Sequence, residues 1–390
     1  ETEIADMLSS HLTNYNDNWD KITNMHKFLF DEKFRLDKAD SIGNPWVFSW
    51  HCLDHVGYIN NPRRRELGHH KIFDYYKNLL KNKKKFGDQI FWHFHPMSMF
   101  KDAHKCGTSY INSKHLYEIL CRKIIERNFF PSCFRAGFQA ERPDSNLFLE
   151  QWIPFDITNM SYEDSQHLEN TIDFRNGRSG DWRRATKDWV VYNPSHDDYQ
   201  ISGNCRRYIG RALNVLNRIA SINDFEMDKA FNQANKGMPA LVAFASHDFR
   251  DLSYEVKYLR DMIYKISKKY SKVKFFYMDT KSAFNKIIWK SDSKNKNPIK
   301  LKIKYINDDN DVPRIVVECI EGKTFGPQPF LAIEKKDGEF VHDNFDFDLK
   351  PQIWHYAFHD DTLPLDKVKS IGVASNDIYG NTDIVKLDFS

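Results

Sequence analysis

The stretch from Ala240 to Met278 constrains the fold of this chain more than any other. Ala240 to Ser246 (ALVAFAS) is a short apolar run, the mark of a buried strand. Ser253 to Tyr270 then carries Val256, Leu259, Ile263 and Ile266 on one helical face, and Val273 to Met278 is apolar and extended again. Strand, helix, strand with short connections predicts parallel pairing through a right-handed crossover. Such units in series build either a (β/α) barrel or a doubly wound sheet, and both gather working residues at the carboxyl ends of their strands.

The same alternation reaches back to about residue 45. Strands are predicted at Trp46 to Trp50 and Gln89 to Trp92, and helices at His70 to Leu80 and Ser113 to Arg127, the latter with Leu116, Ile119, Leu120 and Ile124 on one side. Residues 1–44 read as a polar helical extension in which Ile22, Met25, Phe28 and Leu29 share a face. The polar run Ser291 to Pro298 reads as a linker, which makes 45–290 one domain. Beyond it, Lys300 to Ile306, Arg314 to Ile320, Pro329 to Lys335, Ile353 to Phe358 and Lys369 to Ala374 alternate as strands with no intervening helix. Residues 298–390 are therefore expected to form a small all-β, sandwich-like domain.

Bulk properties exclude several classes. With 30 Phe, 18 Tyr and 9 Trp the chain is too aromatic to be disordered, and a net charge of +3 is too small to argue for a nucleic-acid partner. No apolar run approaches the roughly 18 residues of a membrane span. Cys52, Cys106, Cys121, Cys133, Cys205 and Cys319 form no C-x-x-C pair, which favours reduced, buried thiols and a cytoplasmic setting. The chain begins at Glu1 rather than Met, which leaves room for an upstream leader or domain.

Polar residues gather where the predicted strands end. His51, Asp54 and His55 follow the first, His93 and His95 the second, Arg135 and Gly137 the segment from Phe129 to Phe134, and His247 and Asp248 the strand from Ala240. Histidines two apart on an extended backbone point to the same side, which suits two ligands of one ion. Asp54 from the neighbouring strand end is the expected third ligand, completing a facial His, His, Asp set with open positions for water. His247 is placed to act as a general acid, and Arg135 to hold an anion, to orient a catalytic group or to make a structural ion pair. Asp181-Trp182 follows a Gly-rich turn, and Tyr192 to Tyr199 (YNPSHDDY) offers Tyr192, His196, Asp197 and Asp198 in a loop suited to sugar contact or to ordinary turn formation.

In the order of these motifs the chain resembles the polysaccharide deacetylase family, carbohydrate esterases with a distorted (β/α) barrel. The corresponding stretches are Ser49 to Asp54, Trp92 to His95, Phe134 to Gly137, Asp181-Trp182 and Ser246-His247, within residues 45–280. The phrases FRAG, YNPSHDDYQ and ASHDFRD resemble the divergent branch found in O-antigen and other surface-polysaccharide biosynthesis. The family's tandem Asp-Asp is replaced here by His51-Cys52-Leu53-Asp54, and its metal histidines, four apart, by a pair two apart.

The resemblance implies a metal-dependent, most often zinc-dependent, hydrolase. It would remove an N-acetyl or related acyl group from an amino sugar in a glycan or its nucleotide- or lipid-linked precursor, with membrane contact through biosynthetic partners. Asp54, His93 and His95 would hold the ion, Asp54 or His51 would deprotonate water, and His247 would protonate the departing amine. Arg135 and Asp181 would orient these groups, and Trp182 with the 192–198 loop would contact the sugar. Two alternatives stand beside it: a glycoside hydrolase using Asp54 with Asp197 or Asp198, and a carbohydrate-binding or assembly protein on the same fold.

Overall fold

The computed structural model describes residues 16, 18–54, 71–81, 84–96, 107, 109–113, 115–163, 180–216, 220–290, 297–308 and 312–389. His55 and Cys106 lie outside them, as does the linker at 291–296. The first half begins with helices α1 (Trp19–Leu29) and α2 (Glu32–Leu36). It continues through β1 (Ser49–Asp54), α3 (Lys71–Lys81), β2 (Gln89–Phe94), α4 (His115–Arg127), β3 (Cys133–Ala136), α5 (Pro143–Trp152) and β4 (Phe155–Asn159). Then follow β5 (Tyr208–Asn214), α6 (Asp224–Asn235), β6 (Ala243–Ala245), α7 (Leu252–Ser267) and α8 (Thr280–Trp289).

The six strands form one parallel sheet in the order β1-β2-β3-β4-β5-β6, curled into a half-barrel. Strand alternation sorts its side chains. Trp92, Phe94, Phe134 and Ala136 face outward into a core shared with α4 and α5. Phe91, Cys133, Phe155, Ile157 and Ala212 face inward. α8 closes the amino end of the curl: Phe284 is fully buried and stacks on Phe155 at 4.9 Å, and Thr280 N–H donates to Ser49 Oγ at 2.9 Å.

Residues 273–278 were expected to be a sheet strand and are not. Phe275 N–H bonds to Ser41 Oγ and Tyr277 N–H to Asp40 Oδ2, so this extended segment spends its donors on the 38–41 turn. It lies beside the open edges of the sheet, where Trp46 approaches Tyr277 at 4.8 Å and stacks over Phe244 at 6.3 Å. The first strand is displaced as well: pairing begins at Ser49 and runs on to Asp54, and β4 and β5 are additional strands.

The second half is two antiparallel four-stranded sheets. Its strands are β7 (Lys300–Ile306), β8 (Arg314–Glu321), β9 (Phe330–Lys335), β10 (Phe340–Asp343), β11 (Asp346–Phe347), β12 (Ile353–Ala357), β13 (Val368–Asn376) and β14 (Thr382–Asp388). Orders β10-β9-β13-β14 and β11-β12-β8-β7 enclose Ile315, Val317, Leu331, Ile333, Trp354, Ile371 and Val373. One sheet lies on α4, whose Tyr117 stacks on His342 at 4.8 Å. Asn376 Nδ2 donates to the carbonyls of Pro131 and Trp152, each at 2.8 Å, and stitches the two halves together. Among the described residues no helix is long and apolar enough to cross a membrane.

Candidate active site

The inward face of β1, β2 and β3 assembles His51, His93 and Arg135. Leu53 pairs with His93 and His93 with Arg135 across the parallel ladder, so alternation turns these side chains to one side. His95 follows β2 directly and returns to the same side, its Nε2 lying 3.0 Å from Nε2 of His93. His93 Nδ1–H donates to the carbonyl of Arg135 at 2.8 Å, which fixes its tautomer and leaves the Nε2 lone pair facing His95.

The loop after β3 forms the wall behind His95. A Cβ on Gly137 would fall 2.7 Å from His95 Nε2 and closer still to two ring carbons, so only glycine lets the imidazole sit there. Phe138 and Gln139 follow with left-handed φ of 48° and 53°, and the Phe138 ring meets His95 edge-on at 4.8 Å. Two consecutive non-glycine residues in that region are costly and need outside support. Trp182 Nε1–H bonds to Gln139 O and Gly180 N–H to Phe138 O, each at 2.9 Å.

His51, His93, His95 and Arg135 all line one cavity of about 850 Å³ that occupies the interior of the curl. Below them its wall is apolar, with Phe48, Ile157, Ala212, Leu241, Phe244 and Ile287. His247 and Asp248 line the rim after β6, as does Glu255 from α7. Burial, the charge of Arg135 and the nearby His93 push the His51 imidazole down to about 3. It is therefore neutral, and its buried Nε2 has no hydrogen-bond partner among the described residues. Arg135 is lowered by burial to about 10, against the pull of Asp156, and remains a cation. Its Nη1 donates to Ile157 O at 2.9 Å.

At the rim, His247 Nδ1 lies 3.5 Å from Arg250 Nη2, and Arg250 Nη1 pairs with Glu255 at 3.1 Å. Burial raises the Glu255 carboxyl to about 7, against the opposing charge of Arg250. Asp248 accepts a 2.6 Å hydrogen bond from Tyr76.

Asp54 is not with the histidines. Because β1 continues to Asp54, alternation turns its carboxylate to the outer face. There it accepts from Trp92 Nε1 at 2.8 Å and pairs with Lys123 at 3.1 Å, both partners of the ion pair being fully buried. Asp181 does not line the cavity; it pairs with Arg183 next door. Trp182 and Tyr192 are buried core, Tyr192 O–H donating to Tyr199 O at 2.8 Å. Asp198 pairs with Arg184 on the surface, and Asp197 is exposed.

His196 joins a different group. Among the described residues, one set of three potential metal ligands stands within reach of a single ion: Glu150 on α5, His196 and Cys205. No third His, Cys, Asp or Glu among the described residues completes such a set with His93 and His95. Gln139, Phe138, Arg250, Glu255, Glu150 and Cys205 were not anticipated as site residues. Gly137 after Arg135 was the one sequence signal of the tight loop behind His95.

Comparison with protein-family models, with curated proteins and with solved structures finds no match for this chain.

Proposed function

We propose that the chain is a metal-dependent hydrolase of the polysaccharide deacetylase type. It removes an N-acetyl or related acyl group from an amino sugar of a surface glycan or its precursor. The observation that carries the reading is the His93–His95 pair. Two nitrogens bound to one zinc at about 2.0–2.1 Å stand about 3.0–3.4 Å apart, depending on coordination angle. The observed separation of 3.0 Å falls in that range. The hydrogen bond from His93 Nδ1 to a carbonyl is the partner that a ligating imidazole ordinarily has.

An ion held by His93 and His95 would supply a Lewis acid and a nucleophile at neutral pH. The remaining groups are the chain's own. His51 lines the cavity beside the pair as a neutral imidazole, kept uncharged by burial and by the Arg135 cation, with its Nε2 closed off from water. The Arg135 guanidinium places a fixed positive charge beside the forming oxyanion, in a site shielded from bulk water. His247, exposed at the rim, donates the proton to the leaving amine. The apolar lower wall receives the acyl group, and the sugar occupies the polar mouth.

The glycoside-hydrolase alternative loses support, because Asp54 is committed to Lys123 and Asp198 to Arg184. The carboxylates that line the cavity among the described residues, Asp248 and Glu255, are bonded to Tyr76 and Arg250. The test is acyl release from N-acylated amino-sugar oligomers by protein loaded with zinc. Release that stops with a chelator and in His93→Ala and His95→Ala supports the proposal. Tight glycan binding without release, or release that survives both substitutions, refutes it.

A further inference from the structure

Glu150, His196 and Cys205 do not line the cavity; His196 and Cys205 belong to the loop that follows the Asp181-Trp182 segment, and Glu150 to α5. That loop folds back on itself. Pro194 bridges Ser202, Cys205 N–H bonds to Pro194 O at 2.9 Å, and Gly203 N–H to Asn193 O at 2.8 Å. Asn146 of α5 donates to the carbonyls of Ser195 and His196 at 2.8 and 3.0 Å, one helical turn before Glu150. The loop is thus delivered to the helix by its backbone, with two side chains of different chemistry aimed at one carboxylate oxygen.

That oxygen is Glu150 Oε2. His196 Nδ1 lies 2.8 Å from it and Cys205 Sγ 3.2 Å, while Sγ and Nδ1 are 3.6 Å apart. Oε1 is turned away toward the Arg206 backbone N–H at 3.4 Å. Tetrahedral zinc, with a thiolate at about 2.3 Å and nitrogen and oxygen at about 2.0–2.2 Å, would separate S from N by about 3.6 Å and oxygen from each by about 3.4–3.6 Å. The S···N distance already fits, and the other two need to open by about half an ångström, a small rotation of Glu150.

We propose that Glu150, His196 and Cys205 bind one zinc ion that ties the 193–205 loop to α5, at a site independent of the His93–His95 pair. Thiolate, imidazole and carboxylate together select zinc over magnesium or calcium. The His196 side chain is 60% exposed, so water has access to the fourth position. The exchange balances: the thiol proton, now donated to Glu150, leaves to solvent, and the imidazole moves its proton from Nδ1 to Nε2. A thiol-nucleophile reading fails on geometry. The same Nδ1 faces both the thiol and the carboxylate, so the ring cannot take the thiol proton while the carboxylate holds it in place.

The experiment uses the full chain, stripped of metal and titrated with cobalt(II). The expected result is one equivalent showing a thiolate-to-cobalt charge-transfer band, absent in Cys205→Ser and unchanged in His93→Ala/His95→Ala. His196→Ala, a substitution at a solvent-facing side chain that leaves the fold intact, weakens binding at least tenfold. Wild-type protein without a thiolate band at saturating cobalt overturns the proposal. So does a band that survives Cys205→Ser, or one that vanishes with the barrel histidines.

Discussion

Gly137→Ala isolates the role of the histidine pair without removing either ring. The backbone at Gly137 lies outside the left-handed region, so alanine is conformationally acceptable and the effect is steric alone. The new methyl would stand 2.7 Å from His95 Nε2 and overlap Cγ and Cδ2. Carbon atoms pack at about 3.5–4.0 Å, so the imidazole must retreat by about 1 Å or more. Zinc ligands hold their distances within about 0.2 Å, so if the pair binds zinc as proposed, a retreat of that size would remove His95 from the coordination sphere. Zinc affinity at the pair should fall about 100-fold, approaching that of His95→Ala. Overpacking should cost about 1–3 kcal/mol of stability. The measurement is competition for zinc against a chromogenic chelator, made in a Cys205→Ser background so that the second cluster contributes no thiolate. A melting curve shows that the variant is folded. A folded Gly137→Ala protein that binds zinc within about threefold of its parent would refute the claim that His95 is a ligand where it stands.

Three further outcomes follow from buried groups. Lys123→Met should cost about 3–5 kcal/mol, because it strands the buried Asp54 carboxylate, and Asp54→Asn in the same chain should recover most of it; denaturant titration measures both, and Asp54→Asn should leave zinc affinity unchanged. Asn376→Ala should cost about 2–4 kcal/mol, since the carbonyls of Pro131 and Trp152 both lose their donor where the two halves meet; unfolding of the β half separately from the barrel would support its role as the stitch, and an unchanged urea midpoint would count against it. For pH, burial lowers His26 and His342 to about 4, as it lowers His51 to about 3. The folded protein therefore binds fewer protons than the unfolded chain, whose histidines titrate near 6.5, so this stability is full above that pH and is lost as pH falls toward 4. Glu255, raised to about 7, opposes this, as do Glu141 and Asp279, whose carboxyls burial also raises. The contribution of one histidine is separable: near pH 5.5 unfolded His342 holds about one proton that the folded one does not, about 1.4 kcal/mol per pH unit. Urea midpoints near pH 5–6 should show His342→Phe lowering the slope of stability against pH by about that amount relative to the parent, and an unchanged slope would count against it.

The histidine pair was legible because it depends only on the period of a strand. Residues two apart share a face whatever the strand's ends are, and His93 and His95 do. Asp54 was misread because its role depends on where β1 stops. With the strand ending at Trp50, residues 51–54 are a loop and Asp54 is free to turn toward the ion. With pairing carried through to Asp54, alternation sends His51 inward and Asp54 outward, and four residues of strand length exchange a ligand for a structural ion pair. The YNPSHDDY loop misled in the opposite way. Its tyrosines and the neighbouring Trp182 look like sugar-stacking rings but are buried: Trp182 holds Gln139 O, Tyr199 O–H donates to Asp181 O, and Tyr192 O–H to Tyr199 O.

β4 and β5 escaped the hydrophobic pattern for a reason that bears on the site itself. Phe155–Asn159 carries Asp156, and Tyr208–Asn214 carries Arg211, charges that argue against a buried strand when the sequence is read one element at a time. Both are fully buried because each has a partner: Asp156 accepts from Arg207 at 2.6 Å, and Arg211 holds Glu226 by two bonds of 2.7 and 2.8 Å. Arg207 also reaches Glu141 and Asn146, joining β4 to the segment that follows the Gly137 loop and to the start of α5. A hydrophobic interior would pack these strands but would not fix the azimuth of each element to one hydrogen-bonded geometry, as the charge network does. Two imidazoles held 3.0 Å apart, as the proposed metal site requires, need that kind of support. The residues that hid two strands from sequence patterning are therefore in the right place to hold the wall behind His95.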